Sequence, residues 1–191
     1  DELAGKLGID PIDFRLKNAA KQGTRRPDGM KHARIGCVEV LKAMKAHPHY
    51  SAPLDGLNRG RGVAVGYWFN IGLASSCTIS VNADGTVSLV EGSVDLSGTR
   101  TSIAMQAAEV LGIAVTDVHA TVPDTDSVGY TGLTGGSRTT FATGWAAYLA
   151  AQDVVKQMKD RAAKLWEKKS SAVRFDRGAF RSGRRTMPFK E

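Results

Sequence analysis

Twice in this chain a cluster of glycines, hydroxyls and one arginine stands directly in front of an apolar run with helical character. The run YTGLTGGSRTTFATG (130–144) leads into WAAYLAAQDVV, and EGSVDLSGTRTSIAMQAAEVLG (91–112) repeats the arrangement. Glycine loses more backbone freedom on folding than any other residue, so concentrating it where helices begin calls for a reason. The first turn of a helix exposes unpaired N–H groups and the positive end of the dipole, which together favour an anion. In the first loop, Ser97, Thr99 and Thr101 add hydroxyls beside Leu96 and Gly98, and Arg100 adds a fork of donors suited to phosphate. In the second, Gly135 and Gly136 let the backbone approach closely, Ser137, Thr139 and Thr140 cap or donate, and Arg138 supplies the cation. Two readings stay open. Both loops are plain N-caps after a glycine turn, or they hold the two ends of one phosphate-bearing ligand.

Charge distribution bears on the choice. The 191 residues carry a net charge of +7, yet residues 70–155 contain only two cations, Arg100 and Arg138, against eight carboxylates. A nucleic-acid groove interleaves cations with aromatics across one face; here the cations gather toward the two ends, so no nucleic-acid partner is expected. The apolar runs fall short of the roughly 20 residues that span a bilayer, so no membrane partner is expected and the localisation read is cytoplasmic. Cys37 and Cys77 lie far apart, without metal-ligand or disulfide spacing. His47 and His49 flank Pro48 as a solvated turn.

The expected fold class is α+β, a mixed or antiparallel sheet packed by helices, with a helical lead-in over 1–50 and an α+β lobe over 51–191. The opening residues read as helix, and Asp10-Pro11 as the cap and first turn of a second helix ending near Gly23. CVEVLKAMKAH repeats Val38, Leu41 and Met44 at helical spacing and stops at Pro48. VAVGYWFN and ASSCTISVN read as strands, with Tyr67, Trp68 and Phe69 as core, and Asp84-Gly85 turns a hairpin. A helix from about Thr99 to Leu111, the strand VHATVP, a helix from Ser137 or Thr139 to Lys168 and a two-stranded ribbon over AVRFDRGAFRSG complete the pattern. Asp124 and Asp126 suit a turn better than a cation site.

The run from VNADGTV through DLSGTRT, AAEVLGI, DTD and GGSRTT, together with LGIDPIDFRLKNAAKQG near the start, resembles the molybdenum-binding large subunit of the xanthine dehydrogenase/aldehyde oxidase family. The likeness covers most of residues 1–155 and implies an internal fragment of a longer subunit. It implies molybdopterin with molybdenum, in the cytosine dinucleotide form, as cofactor. It also implies iron-sulfur and flavin subunits or domains as partners, and a small-molecule substrate, an aldehyde or N-heterocycle hydroxylated with oxygen from water.

By position, the family's Gly-Gln-Gly loop falls on Leu96, Ser97 and Gly98, where only the last glycine matches; Thr99 and Arg100 follow it. The family's loop beside the metal falls on Gly135, Gly136, Ser137 and Arg138, followed by Thr139. The family's catalytic glutamate has no counterpart here, so no catalytic or metal-ligating residue is assigned, and the chain by itself is expected to be inactive. Glu91 and Glu109 are the nearest acidic residues, and Glu109 reads as a solvated or paired helix residue. The alternative reading is a non-catalytic anion-binding or assembly module that kept the fold and lost the cofactor.

Overall fold

The computed structural model describes residues 1–68 and 72–191; Phe69 and Asn70, at the end of one expected strand, lie outside the described residues. The chain forms two compact units, Asp1–Tyr67 and Trp68–Glu191, so residues 51–67 belong with the helical unit rather than with the lobe expected from residue 51.

The first unit holds α1 (Glu2–Lys6), α2 (Pro11–Asn18), α3 (Cys37–Ala46) and α4 (Pro48–Ser51). Asp10 caps α2 as its sequence requires, one carboxylate oxygen accepting from the Ile12 and Asp13 amides at 2.9 and 3.0 Å. The helix ends at Ala19, well before Gly23, because Ala19 turns extended and the Gly23 amide then donates to the His32 carbonyl. Ala4 of α1, Ile12 of α2 and Leu41 of α3 are the buried apolar residues of this unit. Residues 63–68 form no strand. The polar groups of Val63 are taken by side chains distant in sequence, its carbonyl by Arg15 and its amide by Asp1, and a residue so engaged offers nothing to a ladder. Tyr67 and Trp68 are 63% and 67% exposed, which corrects the expectation that they are core.

In the second unit β1 (Cys77–Val81) pairs antiparallel with β2 (Val87–Glu91) through the Asp84-Gly85 turn, and β3 (Val118–Thr121) lies parallel to β2. The parallel neighbour requires a crossover, and α5 (Thr99–Leu111) supplies it. The long α6 (Thr139–Leu165) packs on α5 and β1. Alternation in β2 turns Val87, Leu89 and Glu91 inward, all fully buried. Ile103, Ala107, Leu111, Ala147 and Ala151 meet them in one core. The C-terminal ribbon has three strands where two are expected: β4 (Arg174–Asp176), β5 (Ala179–Ser182) and β6 (Arg185–Pro188), antiparallel in that order. Phe180 and Phe189 bury their rings beneath it. A mixed sheet and an antiparallel sheet packed by helices make this an α+β fold.

Among the described residues, no helix is long and apolar enough to cross a membrane, and no group of three or more His, Cys, Asp or Glu is placed to hold a metal ion. Asp124 does turn work, accepting from the Asp126 and Ser127 amides at 3.0 Å each.

Candidate functional site

Both glycine loops place a left-handed serine two residues before the helix they lead into. Ser97 (φ 56°) stands two residues before the first residue of α5, beside Gly98 (φ 77°). Ser137 (φ 55°) stands two residues before the first of α6, beside Gly136 (φ 64°). A left-handed serine is strained, because its Cβ crowds the backbone, and such strain collects at functional sites. The periodicity that located these helices carries no sign of it.

Asp95, Thr99 and Arg100 of the first loop are engaged within the chain. Asp95 accepts from the Arg100 amide at 3.0 Å and pairs with its guanidinium at 3.3 Å, so the chain's own carboxylate takes the place where an anion was expected. Thr99 is buried and donates to the Leu96 carbonyl. Leu96, Ser97 and Gly98 are exposed, and a Cβ built on Gly98 meets no atom within 4 Å. What this loop offers a ligand is the exposed Ser97 and open space over Gly98.

The second loop differs more from expectation. Arg138 is fully buried. Its Nη1 donates to the carbonyls of Gly132 at 2.8 Å and Leu133 at 3.3 Å, and its Nη2 to those of Leu73 at 3.4 Å and Ala74 at 2.8 Å. Its Nε donates to the Gly72 carbonyl, and Nη2 also to the Ser75 hydroxyl. The five donors of the guanidinium are committed inside the protein, and none is left for the phosphate the sequence suggested. Arg138 is a strut between segments 72–75 and 132–133. Thr139 is buried behind it, and Gly135, Gly136 and Ser137 form the part of the loop nearer solvent.

The same scaffold reaches the first loop. The Thr131 hydroxyl accepts from the Ser76 amide at 3.2 Å, Ser76 donates to the Gly129 carbonyl at 2.5 Å, and the Gly132 amide donates to Ala74 at 2.9 Å. A Cβ on Gly92, where β2 ends, would lie 2.6 Å from that Thr131 hydroxyl. Strand exit, second loop and residues 72–77 are therefore one knitted body. The two helix starts are not side by side, however. Gln106, seven residues into α5, donates to the Thr140 carbonyl in the first turn of α6 at 3.2 Å, an offset of roughly 10 Å at 1.5 Å per residue.

Sequence reasoning missed Asp95, Thr131 and the depth of Glu91. Only Glu91 had a signal, as a charged residue in the inward row of Val87 and Leu89. Its Oε2 accepts from the Ser93 amide at 2.7 Å and from the Ser93 hydroxyl. Glu109 is exposed on α5, as expected. A cleft of about 480 Å³ lies next to the scaffold, between residues 72–77 and the exposed Phe141, Trp145 and Leu149 of α6. Its lining comes from those elements and not from residues 96–100 or 135–139, so it is distinct from the loops.

Residues 38–191 match the molybdopterin cofactor-binding domain family. The chain is 30% identical over 173 residues to an aldehyde oxidoreductase of Megalodesulfovibrio gigas, covering 82% of this chain and 19% of that protein. It is also 30% identical over 141 residues to a xanthine dehydrogenase molybdenum-binding subunit of Escherichia coli, covering 66% and 19%. The fold superposes on quinoline 2-oxidoreductase from Pseudomonas putida 86 with a TM-score of 0.72 at 20% identity, over 100% of this chain and 28% of that one. The chain thus spans about a fifth of the length of the curated relatives it matches.

Proposed function

Because the chain belongs to the molybdopterin cofactor-binding domain family, we propose that it forms one wall of a molybdopterin site in a larger oxidoreductase subunit. The observation that carries this reading is the pair of left-handed serines, one at the start of each long helix. The residues present fit such a group: Leu96, Ser97 and Gly98 are exposed, space is open over Gly98, and Gly135, Gly136 and Ser137 are small. These six residues are the proposed contacts. Thr99, Arg138 and Thr139 hold the loops in shape, and Arg100 is balanced by Asp95.

The chain's own part in the reaction is binding and orientation. Backbone amides that need not reorganise stabilise the anionic groups of a cofactor from the outset, and strained serines kept in place by a rigid scaffold are such groups. When bound, the molybdenum centre would accept the two electrons removed from the substrate. In the intact subunit the proposed substrate is an aldehyde or N-heterocycle, oxidised with oxygen from water, the electrons leaving through iron-sulfur and flavin partners. The proposed cofactor form is the cytosine dinucleotide.

The test is metal and pterin analysis of the parent-length protein. Near-stoichiometric molybdenum and pterin, with CMP released on acid hydrolysis, is expected. Pterin with GMP or no nucleotide would overturn the dinucleotide form alone. A folded parent protein holding neither metal nor pterin would leave the non-catalytic anion-binding module in its place.

A further inference from the structure

Strand β2 ends in a residue that its surroundings do not explain. The inward row Val87, Leu89, Glu91 is fully buried against the helices, and an apolar third residue would complete it. Instead there is a carboxylate. Among the described residues no cation pairs with it, and its Oε1 is buried with no hydrogen-bond partner. Directly opposite on β1 lies Cys77, whose thiol is pushed up to about 12 by burial first and by the Glu91 charge second. That neighbour stays neutral and offers no countercharge. An unpaired buried carboxylate oxygen destabilises the folded state, so something else must account for Glu91.

Ser93 supplies the account. Its amide and hydroxyl both donate to Oε2 of Glu91, and Ser93 is itself 2% exposed. The two residues close a turn over Gly92, whose other side has no room beyond Thr131. The chain leaving the sheet is thereby held from both sides, five residues before the left-handed Gly98. We propose that Glu91 is a positioning residue: acting through Ser93, its carboxylate fixes the path of residues 92–98 between the sheet and α5. That this path matters to a ligand rests on the proposed molybdopterin site; the path itself can be measured without one.

Native-state hydrogen exchange on this chain tests the idea with three variants. Glu91→Gln keeps an acceptor oxygen for Ser93, and protection of residues 93–98 should stay within about threefold of wild type. Glu91→Leu fills the same space without an acceptor, so protection there should fall at least tenfold while the β2 amides keep theirs. Ser93→Ala leaves the core row untouched and should lower loop protection at least threefold. The proposal is overturned if Glu91→Leu protects the loop like wild type, if Glu91→Gln loses as much as Glu91→Leu, or, where Glu91→Leu does not fold, if Ser93→Ala changes nothing. In the parent-length protein, Glu91→Leu should lower molybdenum per polypeptide and Glu91→Gln should not. Wild-type retention by a Glu91→Leu protein with a loosened loop would remove the positioning role. A wild type without cofactor would instead retire the proposed function and leave the exchange result standing.

Discussion

Arg138 reaches the carbonyl of Ala74, sixty-four positions earlier in the chain, at 2.8 Å. That bond and the others around the guanidinium turn a residue expected to meet a ligand into one that holds two loop segments together.

Arg138→Ala should therefore destabilise this chain without any cofactor. The buried Gly132 carbonyl and several part-buried ones lose a donor at once, and a buried group left unsatisfied costs about 1–3 kcal/mol, so a loss of more than ~1 kcal/mol in denaturant unfolding is expected. Arg138→Lys keeps the charge but not the fork and should lose an intermediate amount. An Arg138→Ala protein within ~1 kcal/mol of wild type would show that the strut is not needed.

Ser97→Gly tests the strain at the first loop. Glycine adopts φ near 56° without the Cβ crowding that costs an L-residue roughly 1–2 kcal/mol, while it gains freedom in the unfolded chain worth about 0.5–1 kcal/mol. Unfolding stability should rise slightly or hold, by up to ~1 kcal/mol, whereas Ser97→Val should lose well over 1 kcal/mol. Equal losses in both variants would mean that the serine hydroxyl, rather than the backbone, matters here.

Gly92→Ala drives a methyl to 2.6 Å from the Thr131 hydroxyl and 3.0 Å from its Cβ, and overpacking of this kind costs about 1–3 kcal/mol. Thr131→Ala removes the nearer atom. The double variant should be more stable than the sum of the single losses by more than ~0.5 kcal/mol. Strict additivity would mean that the two segments do not bear on each other.

The first unit carries a pH-sensitive pair. Tyr50 donates to Asp10 at 2.6 Å, and this bond is the first cause holding the Asp10 carboxyl below its ordinary 3.8, the Asp13 amide being the next. The carboxylate in turn pushes the Tyr50 hydroxyl up from 10.0. A depressed acid stabilises above its unfolded pKa and loses that contribution as pH falls through the folded value. A raised phenol stabilises below its unfolded pKa and loses it as pH rises through the folded one. Tyr50→Phe should move the Asp10 titration upward in an NMR experiment and soften the acid limb of stability. An unmoved Asp10 titration would place the cause in the backbone amides alone.

Much of the fold was legible because it depends on near neighbours in the chain. Asp10 followed by Pro11 starts a helix wherever it stands, Asp84-Gly85 closes a hairpin between alternating strands, and the spacing of Ile103, Ala107 and Leu111 makes one face of a helix. The family likeness was carried by such local runs as well. The expected strand at residue 63 failed because Arg15 and Asp1, far away in sequence, take the backbone groups it needed.

The site divides along the same line. That two helices begin in glycine and hydroxyl loops, and that each loop holds one arginine, follows from the order of residues. What those arginines meet became visible in the folded chain: Asp95 for one, a ring of carbonyls for the other. A guanidinium presents the same donors to a phosphate, a carboxylate or a carbonyl. Its identity fixes what it can bind, but which partner it takes is set by the folded chain: for Arg138, segment 72–75 is brought beside it from more than sixty residues away, and burial keeps water from competing.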